Sequence, residues 1–149
     1  MGRDKTPRKE PAMSEAGAPA KVLVYSDDRT VREQVRLTLG RKVAADLPEI
    51  EIFEVATVPA LLKALDSDVD YGLMILDGEA RPAGGFGVAY QVKEEIANCP
   101  PVLLLVVRQV DSWLATWSRA EAVAPYPVDP FQLPEQVANL LRARLVQVG

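Results

Sequence analysis

Apolar residues in this chain fall into two patterns, short continuous runs and sets spaced at helical intervals, and the two alternate from end to end. Three runs, Lys21-Val22-Leu23-Val24-Tyr25, Leu73-Met74-Ile75-Leu76 and Pro101 to Val107, read as strands buried on both faces. The third is the most apolar stretch and belongs in the middle of a sheet. Glu49 to Val55 alternates charged and apolar residues, the pattern of a half-exposed edge strand. Val123 to Val128 makes a fifth strand. Its Pro125 and Pro127 cannot donate to a ladder, which places it at another edge.

Between the strands the spacing predicts helices. Thr30 to Leu39 carries Val31, Val35 and Leu39, plus Leu37, and stops at Gly40. Residues 41 to 48 read as a polar connection. Thr57 to Leu65 begins on a capping threonine with Pro59 in the first turn, where a missing N–H is harmless. Phe86 to Ile96 and Asp111 to Arg119 follow, and Gln132 to Val146 closes the chain with Leu133, Val137, Leu140, Leu141 and Leu145 on its apolar face. Strands alternating with helices in this way predict an α/β domain, a parallel sheet covered on both faces.

Two of the buried runs end in carboxylates, at Ser26-Asp27-Asp28 and at Asp77, and Asp77 is followed by Gly78-Glu79-Ala80-Arg81-Pro82-Ala83-Gly84-Gly85. The carboxyl ends of parallel strands form the rim where ligands bind in open α/β sheets. Asp27, Asp28, Asp77 and Glu79 are therefore candidate ligands for an oxygen-ligated cation, Mg²⁺ or Ca²⁺. The alternative is a set of solvent-separated carboxylates. Gly84-Gly85-Phe86-Gly87 precedes a helix, but it lacks the third glycine of a dinucleotide fingerprint and follows the third strand rather than the first.

Composition narrows the chemistry. The 149 residues suffice for one domain, 21–149, preceded by a tail. Residues 1–20 hold Pro7, Pro11 and Pro19 with almost no large apolar side chain, a composition expected to be disordered. Seventeen basic residues against 21 acidic leave a net charge of -4, with no basic stripe for nucleic acid or an anionic membrane. The sequence contains no histidine, which removes Ser-His-Asp and Cys-His catalysis and most zinc sites. The single Cys99 excludes an internal disulfide, fits a reducing cytoplasm and reads as an inert loop thiol. No apolar run approaches the roughly 20 residues of a membrane helix, so direct membrane insertion is not expected.

The strand ends at Asp27 and Asp77, Gly85 in the loop beyond, and the Asp129-Pro130-Phe131 turn together resemble the receiver domain of two-component response regulators, the CheY-like family, over about residues 21–146. The resemblance implies a flavodoxin-like, doubly wound five-stranded parallel sheet of order 2-1-3-4-5 with five helices, and a site at the switch point between strands one and three. It carries the phosphoryl-accepting nucleophile over to Asp77. The family's Mg²⁺-binding acidic pair falls on Ser26 and Asp27, since Arg32 then stands five residues beyond the pair; one acid is lost unless Asp28 replaces it. The family's serine or threonine at the end of strand four matches Val106, and its lysine before the Pro-Phe turn matches Asp129. Ser26, Val106 and Asp129 thus make a degenerate pocket. A carboxylate in place of the lysine is expected to repel both Asp77 and an arriving phosphoryl group. On this reading Asp27, Asp77 and Asp129 gather round one point, sharing a proton or a cation, and Asp77 is a vestigial phosphoacceptor.

Tyr126 matches the aromatic that changes rotamer in signalling receivers, but with Val106 it lacks a hydroxyl partner and is expected to keep one orientation. Trp113 and Trp117 lie four apart on one helical face, as interface anchors or as core filling. With Tyr126 they mark the candidate partner-binding face.

The resulting expectation is a regulatory protein rather than an enzyme: a stand-alone atypical receiver that binds a protein partner without phosphorylation and needs no cofactor. The alternative is a working phospho-receiver using Asp77 with Mg²⁺. A third is a homodimer formed through helix four, strand five and helix five. The chain also resembles actinobacterial orphan receivers. Its segment from Val22 to Arg32 is similar to one found alongside the proton-pumping NADH:quinone oxidoreductase, which implies a respiratory NADH dehydrogenase complex as partner and a cytoplasmic protein peripheral to the inner membrane.

Overall fold

The computed structural model describes residues 18–107 and 116–148, with side chains to residue 145. The tail expected over 1–20 lies outside them as far as Gly17, and Ala20 already opens the first strand. In chain order the elements are β1 (Ala20–Tyr25), α1 (Arg29–Leu39), β2 (Ile50–Val55), α2 (Val58–Leu65), β3 (Tyr71–Asp77), α3 (Gly85–Glu95), β4 (Val102–Val106), a helical turn at 116–118 that is the described part of α4, β5 (Ala122–Pro125) and α5 (Gln132–Val148). The strands form one sheet in the order β2-β1-β3-β4-β5, and every neighbouring pair is parallel. All strands run the same way, but the order in which they are added reverses between β1 and β3, which puts a crevice at their carboxyl ends.

Apolar runs without alternation become strands here because both sheet faces are covered. Val22, Val24, Leu73, Ile75, Leu103 and Leu105 pack with Val31, Val35 and Leu39 of α1 and Leu133, Val137 and Leu141 of α5. Leu23, Tyr25, Met74, Leu76 and Leu104 point to the opposite face, against Leu61 of α2 and Phe86, Val88, Ala89 and Val92 of α3. Burying each such aliphatic side chain contributes about 1.5–3 kcal/mol, so β1, β3 and β4 anchor the domain and the rim they carry. Among the described residues no helix is long and apolar enough to cross a membrane.

Four expectations change. Leu37 is 64% exposed, because Val31, Val35 and Leu39 already fill the inward stripe and position 37 falls outside it. Leu145 is half exposed near the C-terminal end of α5, where it lines an open groove with Pro19, Lys21 and Gly72. The fifth strand is the tetrapeptide Ala122–Pro125 rather than Val123 to Val128, and as expected it lies at an edge. The connection after α1 is not simply polar. Leu47 is buried in the α1/α5 core, with Val43 and Ala44 against it.

An ion pair fastens that connection. Arg142 of α5 donates from Nε to Asp46 Oδ2 and from Nη2 to Asp46 Oδ1, both at 2.8 Å. This side-chain hydrogen bonding holds the Asp46 carboxyl at about 2, below its ordinary 3.8. A depressed carboxylate pKa means the stabilisation is fully present above about pH 3.8 and is lost as pH falls through about 2. The Asp46 side-chain carbon resonance is expected to titrate near 2 in the wild type and to return toward 3.8 in Arg142→Ala. An unchanged midpoint in the variant would show that the pair does not form in solution.

Candidate functional site

β1 ends by delivering Ser26, Asp27 and Asp28 to the rim. Ser26 is fully buried, and its N–H donates to the Val55 carbonyl at 3.2 Å, extending the β1–β2 ladder by one residue. The next two residues leave the sheet. Asp28 becomes the N-cap of α1, its Oδ1 accepting from the Thr30 N–H at 2.8 Å, as capping chemistry favours. Asp27 turns across to the loop after β3, where its Oδ1 accepts from the Arg81 N–H at 3.0 Å.

Asp77 is the last residue of β3, the central strand, and is only 7% exposed. Both its oxygens are engaged from within the chain. Oδ1 accepts from the Glu79 N–H at 2.8 Å, and Oδ2 accepts from the Ser26 hydroxyl at 2.8 Å. The loop that follows returns tightly to the sheet. A Cβ on Gly84 would lie 2.7 Å from the Gly78 carbonyl oxygen, and one on Gly85 2.8 Å from that of Asp77. Only glycine allows backbone to approach backbone so closely. The Tyr25 hydroxyl clamps the same loop by donating to the Ala83 carbonyl at 2.6 Å.

Asp27, Asp28, Asp77 and Glu79, four of the predicted site residues, line one opening of about 260 Å³. Arg81 lines it too, with Val31, Val107 and Tyr126 as walls. Four acids against one arginine make it electronegative, and the nearby phenols register this. Burial first, then the charges of Asp28 and Asp77, raises the Tyr126 hydroxyl above its ordinary pKa. The Tyr25 hydroxyl is raised likewise, by burial and then by Asp27 and Asp77. Among the described residues no three carboxylates are grouped closely enough to hold a metal ion. Oxygen ligands are present, but Asp27, Asp28 and Asp77 are each drawn toward backbone donors rather than toward a common point.

Asp129 does not join them. Its Oδ1 accepts from the N–H groups of Phe131 and Gln132, both at 2.8 Å, so it caps the start of α5. Those two bonds lower its pKa. The expected gathering of Asp27, Asp77 and Asp129 is thus corrected: a short acidic side chain beside unpaired helix N–H groups finds its partners there. Val106 ends β4 with its side chain against the α2/α3 core. Tyr126 donates its N–H to the Val106 carbonyl at 2.9 Å, and its ring faces the acidic opening.

Trp113 lies outside the described residues. Trp117 stacks on Tyr90 of α3 with ring centroids 4.5 Å apart and remains 48% exposed. The Arg119 guanidinium sits 5.4 Å from the centre of the same Tyr90 ring and pairs with Glu94. The Trp117–Tyr90 pair therefore joins α3 and α4, while Tyr126 lines the acidic opening.

Three contributors escaped the sequence reading. Arg81 is one, signalled only by its place four residues beyond Asp77. Tyr90 is another, a lone aromatic on a helix whose partner is distant in sequence. The third is the role of Arg32. Its Nη1 donates to the Ser26 carbonyl at 2.7 Å and its Nε to Glu54 Oε1 at 3.0 Å, while Arg36 binds the other Glu54 oxygen at 3.1 Å. The backbone at Ser26 is thereby fixed from outside the opening.

These features define a doubly wound α/β domain whose chemistry is confined to an acidic rim around one strand-end aspartate. No family model matches the chain. It is 48% identical over 132 residues to an uncharacterized response regulatory protein of Mycobacterium tuberculosis, found in two strains, with 88% of this chain and 98% of that protein covered. The chain belongs to the response-regulator family, and its fold is that of CheY-like receiver domains. Solved structures share the fold at low identity. A response regulator from Chloroflexus aurantiacus superposes with a TM-score of 0.70 at 20% identity, covering 83% of this chain and 98% of the other. A CheY-like receiver domain protein from Methanospirillum hungatei gives 0.65 at 17% identity, covering 87% and 99%.

Proposed function

We propose that this receiver is a protein-binding regulatory module whose working state does not depend on phosphorylation of Asp77. The observation that carries the reading is the placement of Asp129. Phosphoryl transfer relies on positive charge around the transferring oxygens. Where the family's lysine would stand, the turn between β5 and α5 carries Asp129, which brings no cation to the opening and is committed to capping α5. Val106 adds no hydroxyl, and the opening is lined by four acids. Incubation with acetyl phosphate and Mg²⁺ is expected to leave the intact mass unchanged. A stoichiometric phosphoryl adduct on Asp77 would overturn the reading.

One observation favours the second reading, a phospho-accepting receiver. Arg81 lines the opening with Asp77 and is the one basic residue that does so. If Asp77 does accept phosphate, Arg81→Ala is the variant that should lose the adduct.

The exposed Trp117–Tyr90 stack supports a protein partner, since large aromatic side chains beside an arginine are frequent interface anchors. The resemblance of the Val22 to Arg32 segment makes a respiratory NADH dehydrogenase complex the first partner to test, with the protein acting in the cytoplasm and reaching the inner membrane only through that complex. Affinity purification from native membranes is expected to recover the complex; recovery of the chain only as a free cytosolic protein would count against it. Light scattering over a concentration series tests the homodimer in the same preparation.

A further inference from the structure

We propose that Ser26 takes the place of a cation at this rim, its hydroxyl donating to the oxygen of Asp77 that a metal would otherwise ligate. The proposal rests on the reading that Asp77 is not a phosphoacceptor, and it assigns a cause for the rim's single arrangement.

Hydrogen-bond inventory fixes the direction of the Ser26 hydroxyl. A serine has one proton to donate. The Asp28 N–H donates into Ser26 Oγ at 3.0 Å, so that side of the oxygen is an acceptor and the proton points the other way, to Asp77 Oδ2 at 2.8 Å. The side chain has no solvent alternative, because Ser26 is fully buried. Its backbone is held at both ends, by the Val55 carbonyl and by Arg32. A hydroxyl locked between a donor and a carboxylate presents a proton, not a lone pair, toward the carboxylate a cation would share.

The remaining acids agree. The other oxygen of Asp77, and one oxygen each of Asp27 and Asp28, accept from backbone N–H groups of Glu79, Arg81 and Thr30. Hard divalent cations need several oxygen ligands converging at about 2.0–2.6 Å. Here both oxygens of Asp77 and one each of Asp27 and Asp28 are turned to internal donors, and no group of three acids that could hold a metal occurs among the described residues. The donor set therefore does not fit a resident Mg²⁺. Ser26 gives Asp77 Oδ2 a fixed hydrogen-bond donor where the metal would have supplied a charge.

Removing the hydroxyl while leaving every carboxylate in place tests this. In the full-length protein, Ser26→Ala is expected to melt roughly 3 °C or more below wild type, because Asp77 Oδ2 loses a buried charge-assisted donor. Millimolar MgCl2 should raise the melting temperature of Ser26→Ala and leave wild type unmoved, relative to NaCl of equal ionic strength. Calorimetric titration of Ser26→Asp, which replaces the hydroxyl by a carboxylate, should show saturable Mg²⁺ heat at least tenfold tighter than any in wild type. Equal Mg²⁺ responses in wild type and both variants, whether present or absent, would overturn the proposal and leave the functional reading standing. A phosphoryl adduct on wild-type Asp77 would overturn the functional reading instead, whatever the melting comparison shows.

Discussion

Leu76→Ala is expected to destabilise the protein by about 3–4 kcal/mol, the largest effect of any single truncation near the site. Leu76 is fully buried in the central strand, directly before Asp77. In register it lies between Tyr25 of β1 and Leu104 of β4, both on the same sheet face and both closed to solvent. Alanine would forfeit the transfer energy of the deleted carbons and leave a cavity. Strands on both sides and α3 above hold its walls, so little of it can collapse. Urea denaturation followed by circular dichroism measures the loss. A change below about 1 kcal/mol would mean that the sheet relaxes into the space and that the rim is softer than its packing implies.

Gly85→Ala should cost about 2–3 kcal/mol by the opposite mechanism, overpacking. The added methyl would stand 2.8 Å from the Asp77 carbonyl oxygen, 2.9 Å from its carbonyl carbon and 3.1 Å from Leu104 Cδ2. Two of those three contacts are backbone, which cannot rotate away. Either α3 lifts at its first residue or the end of β3 shifts, and both disturb Asp77. The control lies two residues on. At Gly87 a Cβ meets nothing within 4 Å, so Gly87→Ala is expected to stabilise by roughly 0.5–1 kcal/mol through helix propensity. Equal effects at the two positions, read from denaturation midpoints, would contradict the close approach of α3 to the strand end.

The two substitutions separate what a glycine does at a site from what it does in a helix. They also show why stability and function meet at this rim. The tight backbone approach that sets Asp77 in place is continuous with the core. A change that weakens binding to a partner must therefore be checked for folding before it is assigned to the partner face. Trp117 and Tyr90, by contrast, are partly exposed and stand clear of the acidic opening.

Much of this molecule was legible from residue order. Two-sided burial requires continuous apolar runs, so Val22 to Tyr25, Leu73 to Leu76 and Pro101 to Val107 mark three strands of the sheet, the last observed as Val102–Val106. The half-buried pattern of Ile50–Val55 and the prolines near Ala122–Pro125 marked the two edges. Strand ends then dictated which carboxylates share a rim, and Asp27, Asp28, Asp77 and Glu79 do line one opening. Period and terminus are local properties, and local properties are written in the chain.

The direction in which each side chain makes its hydrogen bonds was decided only by the tertiary structure. By its resemblance to the family's lysine position, Asp129 reads as a repulsive neighbour of Asp77. In the fold it finds two unpaired helix N–H groups first. Ser26 reads as a missing acid, yet in the fold its proton has a single acceptor, the carboxylate of a residue 51 positions away. Leu37 reads as core and is exposed, because a helix buries only the stripe that faces the sheet; Leu145 is half exposed as well. Residue order determined which groups arrive at the rim. Which of them face one another depends on partners brought together by folding, and those partners carry no mark of one another in the local sequence.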